Sequence, residues 1–296
     1  MAWVESDVPG LKVALGDPLL CPSDLQLSVQ DFSTESFATL CNALSSSLHV
    51  QSLAIIFWKV VPVHVRLLYL MLSRNKSLKR VSLEGGWGEI YFGDISHGLC
   101  FNESVTELTL TCDTVTTWFV EMFASLLRTN ETLSKVVVMC AYGFDLDLVR
   151  PLSEGLLLNK VITDFSILVG TGTYCYTKWS RSASQRNRSC LHRAVRFVLR
   201  KNVGKVCAEA FECFDKKPSL VPCIMSTAGM SRAEAESAVK GARRFIQSNY
   251  LMISGVIQSK LKCYGRSGTQ IDQLNSDCLL KIAKYLKVSD VIERLE

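Results

Sequence analysis

The chain has 296 residues, 48% of them hydrophobic and 21% charged, and carries a formal net charge of +5. This is enough chain and enough apolar content to bury one or two cores, which argues against a disordered polypeptide. No apolar run approaches the roughly 20 residues of a membrane helix. Glu5 and Asp7 stand where an export signal needs bases followed by an apolar stretch, so a cytoplasmic location without membrane contact is expected. The twelve cysteines are spread from Cys21 to Cys278 without dense spacing, and read as reduced, mostly buried thiols.

In chain order, residues 1–24 read as an N-terminal cap and 25–170 as a repeat array. Residues 171–189 read as a basic loop, and 190–296 as a helical region. The repeat is carried by one phrase: RNKSLKRVSL from Arg74, FNESVTELTL from Phe101, TNETLSKVVV from Thr129 and LNKVITDFSI from Leu158. Each places an Asn three residues before an apolar run that begins at Leu78, Val105, Leu133 or Ile162, in steps of 27, 28 and 29 residues. A weaker copy starts at Val50, 28 residues before Leu78. Alternating apolar residues in each run predict a short strand. The helically spaced ones between runs, such as Phe119, Met122, Phe123, Leu126 and Leu127, predict a returning helix. Strands joined in this way stack in parallel.

These phrases resemble the ribonuclease-inhibitor type of leucine-rich repeat, especially the repeat region of NOD-like receptors. The resemblance covers about half the chain. It implies an α/β solenoid, a non-catalytic scaffold that holds another protein on its concave face, and an innate-immune setting. The usual Asn or Cys nine residues into each repeat is replaced by Trp58, Gly86, Asp113, Ala141 and Gly170, with Cys112 and Cys140 one place earlier. The array contains the sequons Asn75-Lys-Ser, Asn102-Glu-Ser and Asn130-Glu-Thr. The repeat already explains them, and without an export signal they are not expected to carry glycans.

Side-chain alternation sends a second set of residues to the concave face. These are Arg80, Ser82 and Glu84; Glu107 and Thr109; Lys135, Val137 and Met139; and Asp164 and Ser166, the candidate partner-binding residues. One column, Arg80, Glu107, Lys135 and Asp164, alternates in charge across strands about 4.8 Å apart. It reads either as a docking strip or as a ladder of pairs that fixes register.

The basic charge is concentrated in residues 171–206, which hold nine Lys and Arg and no acid, leaving 24 bases against 28 acids elsewhere. A helix is predicted from about Cys190 to Phe214. Lys178, Arg181, Arg186, Arg188, Arg193, Arg196 and Arg200 form a candidate basic patch, fitting a solvated cap, an acidic protein partner or nucleic acid. Ser231 and Glu234 mark a capping box that opens a further helix, which Asn249 to Ile257 extends or follows with a strand. Finally, LNSDCLLKIAKYLKVSDV from Leu274 resembles the first helix of an F-box. That resemblance implies, as an alternative, a substrate receptor of a cullin ubiquitin ligase.

No catalytic or cofactor site is expected. Gly170-x-Gly172 lacks the third glycine of a dinucleotide loop, and no phosphate-binding G-x-x-x-x-G-K-[ST] exists. The four histidines are scattered and the cysteines lack C-x-x-C spacing. Asp145 and Asp147 read as a helix N-terminus.

Overall fold

The structure is a computed structural model and describes residues 3–29, 32–57, 61–85, 91–113, 115–141, 149–170, 173–174, 178–256 and 276–291. Asp145, Asp147, Gly172 and Leu274 lie outside them. The chain divides into two units, Met1–Asn187 and Arg188–Glu296.

In the first unit six strands run parallel in sequence order: β1 Asp24–Ser28, β2 Ser52–Phe57, β3 Arg80–Gly85, β4 Glu107–Cys112, β5 Lys135–Cys140 and β6 Asp164–Val169. A two-residue strand, β7 Thr173–Tyr174, adds antiparallel to β6. The helices of this unit are α1 Val8–Gly16, α2 Thr34–Ser46, α3 Pro62–Arg74, α4 Tyr91–Phe101, α5 Thr117–Thr129 and α6 Val149–Leu158. Strand and helix therefore alternate as the repeat predicts. β1 opens the array near its expected start, with Leu25 and Leu27 in register with Leu53 and Ile55, and α1 lies in the stretch read as a cap.

Local chemistry sets these elements. Ser33 and Thr116 cap α2 and α5 by accepting from the Ser36 and Phe119 amides at 3.2 Å, and Pro62 opens α3 where no amide donor is needed. One face of each of the six parallel strands is buried, including Val81 and Leu83, Leu108 and Leu110, and Val136 and Val138. Helix stripes such as Val120, Phe123 and Leu127 cover it.

The repeated asparagines join one repeat to the next. Asn102 is 2% exposed; its Nδ2 donates to the carbonyls of Leu72 at 2.6 Å and Asn75 at 3.0 Å. Its Oδ1 accepts from the amides of Ser104 at 2.8 Å and Val105 at 2.7 Å, and from the Ser104 hydroxyl at 3.1 Å. Asn75 and Asn159 likewise donate to two carbonyls of the preceding repeat and accept from two amides, and Asn130 accepts from two amides and donates to the Leu99 carbonyl. The hydroxyls of Ser77, Ser104 and Thr132, two places on, donate to carbonyls of the preceding repeat. This double use explains the N-x-[ST] phrase: the pair satisfies backbone groups at a buried corner. It also closes the sequons, since the three amide nitrogens are buried and already donate inside the fold.

Two glycines permit close helix packing. A Cβ on Gly98 would lie 3.0 Å from the Tyr69 carbonyl oxygen of α3, and one on Gly155 only 2.6 Å from that of Ala124 in α5.

His64, in the first turn of α3, is 3% exposed, and its ring centroid lies 4.6 Å from that of Phe37. Neither ring nitrogen has a hydrogen-bond partner, and burial holds its pKa below the ordinary imidazole value. The unfolded chain therefore takes up this proton at a higher pH than the folded chain does. Stability tied to the neutral ring is present above the unfolded value, about 6.5, and is lost as pH falls below it. Thermal denaturation between pH 7.5 and pH 5 should show a falling midpoint, with a shallower fall in His64→Leu. Parallel curves would place the pH dependence elsewhere.

The basic stretch is not a loop throughout. Residues 178–189 belong to α7 Lys178–Val198, and the single helix expected to reach Phe214 is broken, resuming as α8 Lys205–Phe214. Its inward stripe begins with Ser180, Ala183, Ser184 and Asn187, all under 9% exposed. Small and polar residues there hide the helical period that an apolar stripe would reveal. The break falls at Arg200, which takes a left-handed conformation with φ 58°.

In the second unit α8 packs with α9 Leu220–Ala228, α10 Arg232–Ile253 and α11 Ser276–Ala283 around Phe197, Phe211 and Phe214. The Ser231–Glu234 capping box forms, with the Ser231 amide donating to Glu234 at 2.8 Å. α10 continues through a kink at Asn249 and gives no strand. The Glu212 carboxylate, its pKa raised by burial, accepts from the Val288 amide at 2.9 and 3.0 Å.

Candidate interaction face

Helices cover one face of the parallel sheet, and the alternate positions of each strand form the other. The expected column is present as a row in register: Arg80 pairs with Glu107, Glu107 with Lys135, and Lys135 with Asp164. Arg80 and Lys135 are exposed, and Glu107 and Asp164 half-buried.

The row is not a ladder of neighbouring ion pairs. Arg80 Nη2 reaches Asp24 Oδ1 at 2.8 Å, passing over Ser52, the register partner of both. Hydrogen bonds from Ser23 and then Arg80 hold the Asp24 carboxyl below its ordinary pKa. Among the described residues no ion pair within 4.0 Å joins Glu84, Glu107, Lys135 or Asp164 to another group. Three unmatched acids therefore share the face with one unmatched base. The next row holds Ser82, Thr109, Val137 and Ser166, and the third Glu84, Thr111, Met139 and Leu168. All of these are half-buried except Glu84, which is exposed.

The candidate basic patch separates into residues with different surroundings. Lys178 begins α7, and Arg181, Arg188, Arg193 and Arg196 are exposed along it. Arg186 instead donates to the carbonyls of Leu157 at 2.9 Å and Asn159 at 2.6 Å. Beside it, Asn187 donates to Asn159 at 3.1 Å and Ile162 at 2.9 Å. Together they take the carbonyls that the next repeat's asparagine would have served. Arg200, also exposed, lies 3.7 Å above the Phe245 ring centroid and donates to the Gly241 carbonyl at 3.1 Å, so its guanidinium is already engaged within the second unit.

α11 holds the middle of the F-box-like pattern, with Ile282 43% exposed, and Tyr285 82% and Leu286 39% exposed follow its end. Asp290 accepts from the Lys287 amide at 2.7 Å, and Val288 is buried.

Several features bear on catalysis. No His, Cys, Asp and Glu group that could hold a metal ion occurs among the described residues. No histidine side chain among them hydrogen-bonds to a nucleophile or carboxylate. Cys112 and Cys140 pair across β4 and β5 with their sulfurs 3.9 Å apart. The hydrogen bond to Cys140, with burial, pushes the Cys112 thiol well above its ordinary range, and burial alone pushes Cys41 up to about 12. Thiols held in this way are poor nucleophiles at neutral pH. No helix among the described residues is long and apolar enough to cross a membrane.

Asp24, Asn187 and the structural use of Arg186 escaped the sequence reading. Asn187 follows Asn159 by 28 residues, so the period itself was a signal for it. No protein-family model matches the chain, and no curated protein sequence matches it.

Proposed function

We propose that the open face of the parallel sheet is a docking surface for another protein, and that the chain is a non-catalytic scaffold of the leucine-rich-repeat kind. The observation that carries this reading is the state of that face. Its side chains stand in register over six strands, and Glu84, Glu107 and Asp164 stay unmatched beside the apolar Val137, Met139 and Leu168. Unmatched charge beside half-exposed apolar surface is what a partner can match and cover. The raised thiols of Cys41 and Cys112, and histidines with no hydrogen bond to a nucleophile or carboxylate among the described residues, fit a surface that holds rather than reacts.

The test compares the full chain with Thr109→Arg/Val137→Arg in affinity capture from cell lysate. Both positions point away from the core, so the urea midpoint should be unchanged while specifically captured proteins fall by at least about tenfold, equivalent to 1.4 kcal/mol. An unchanged captured set would make the face architectural.

A further inference from the structure

We infer that the β3–β6 part of this face receives a basic amphipathic helix, an inference that rests on the docking reading above. Three observations select that partner.

The first is charge. Glu84, Glu107 and Asp164 stand against Lys135 alone, because Arg80 is already matched by Asp24. The face is thus acidic on a chain whose formal charge is +5, and it favours Lys or Arg over Asp or Glu in whatever docks there.

The second is the apolar patch. Met139 and Leu168 are register partners, and Val137 lies two residues from Met139 on the same strand. Their half-buried side chains form one contiguous apolar surface flanked by the row that holds Glu107 and Asp164. An apolar stripe with cationic flanks matches both features together.

The third is backbone chemistry. β4 and β5 are paired on both sides, so this part of the face offers side chains and no free strand edge. An extended peptide would leave its own amides and carbonyls without partners there, whereas a helix satisfies its own. The four strands β3 to β6, about 4.8 Å apart, span about 14 Å, room for the 10–12 Å diameter of a helix with its side chains.

The probe is a pool of 18-residue helical peptides with a fixed leucine stripe and polar positions randomised over Lys, Glu, Ser and Gln. They are offered to the full chain, to Met139→Glu, and to Glu84→Lys/Glu107→Lys/Asp164→Lys. In 50 mM salt the peptides bound by the wild-type chain should be enriched in Lys over Glu by about tenfold. This enrichment should fall toward parity at 1 M salt, where the screening length is about 3 Å. It should be lost or inverted with the triple variant, and Met139→Glu should reduce total capture by at least about tenfold. Capture that Met139→Glu reduces but that shows no Lys preference, or a Glu preference, overturns the basic partner and leaves the docking face standing. Capture indifferent to Met139→Glu overturns the face itself. No capture of any peptide overturns the helical ligand, with circular dichroism confirming that each variant is folded.

Discussion

Replacing Asn102 with alanine is expected to lower the stability of the first unit by about 3–5 kcal/mol, among the largest effects a single substitution gives. The side chain donates to the Leu72 and Asn75 carbonyls and accepts from the Ser104 and Val105 amides. Alanine would leave the Leu72 carbonyl and the Ser104 and Val105 amides without these bonds, and the Asn75 carbonyl with the Ser104 hydroxyl alone, at a site where water cannot readily replace the lost side chain. Each lost bond to a buried group costs about 1 kcal/mol net, and more when its former partner remains unsatisfied. Urea denaturation followed by circular dichroism measures the effect. Ser104→Ala removes the hydroxyl bond to the Asn75 carbonyl and should cost only about 1 kcal/mol. Equal losses from the two substitutions would mean that the asparagine does not carry the corner.

The second large effect is expected at Gly155. A Cβ there would meet the Ala124 carbonyl oxygen at 2.6 Å and its carbon at 3.2 Å. The clash is with helix backbone, which cannot swing aside as a side-chain tip could. Gly155→Val should therefore force α5 and α6 apart and cost about 3 kcal/mol, the upper part of the usual overpacking range. Gly10, in α1, has open space at its Cβ position, so Gly10→Ala should be neutral or slightly stabilising through helix propensity. A thermal midpoint for Gly155→Val equal to that of the wild-type chain would show that the helices can separate without loss.

Much of the first unit was legible because its repeat depends on residues with few substitutes. A buried corner that must supply a donor to the preceding repeat's carbonyls and an acceptor for two amides suits an Asn side chain, so Asn75, Asn102, Asn130 and Asn159 mark the repeats in plain sequence. Strand alternation then set the register of Arg80 with Glu107 and of Lys135 with Asp164. β1 was harder to see because Leu19 stands where the asparagine belongs. Leu25 and Leu27, 28 residues before Leu53 and Ile55, were the remaining signal. α7 was misplaced because its buried stripe starts with Ser180, Ser184 and Asn187, which no hydropathy pattern flags. The charge row was read through nearest neighbours, yet Arg80 is long enough to bypass the small Ser52 and reach Asp24. A guanidinium's reach depends on what stands between, which alternation along a strand does not reveal.

The bonds made by Arg186 and Asn187 fix where the protein can be cut. A fragment that stops at Gly170, where the repeating phrase ends, would expose the carbonyls of Leu157, Asn159 and Ile162 that these two side chains now satisfy. One that includes Asn187 keeps them covered. The natural excision point for the first unit therefore lies partway along α7, beyond the last visible repeat, and a helix there serves as the array's final rung.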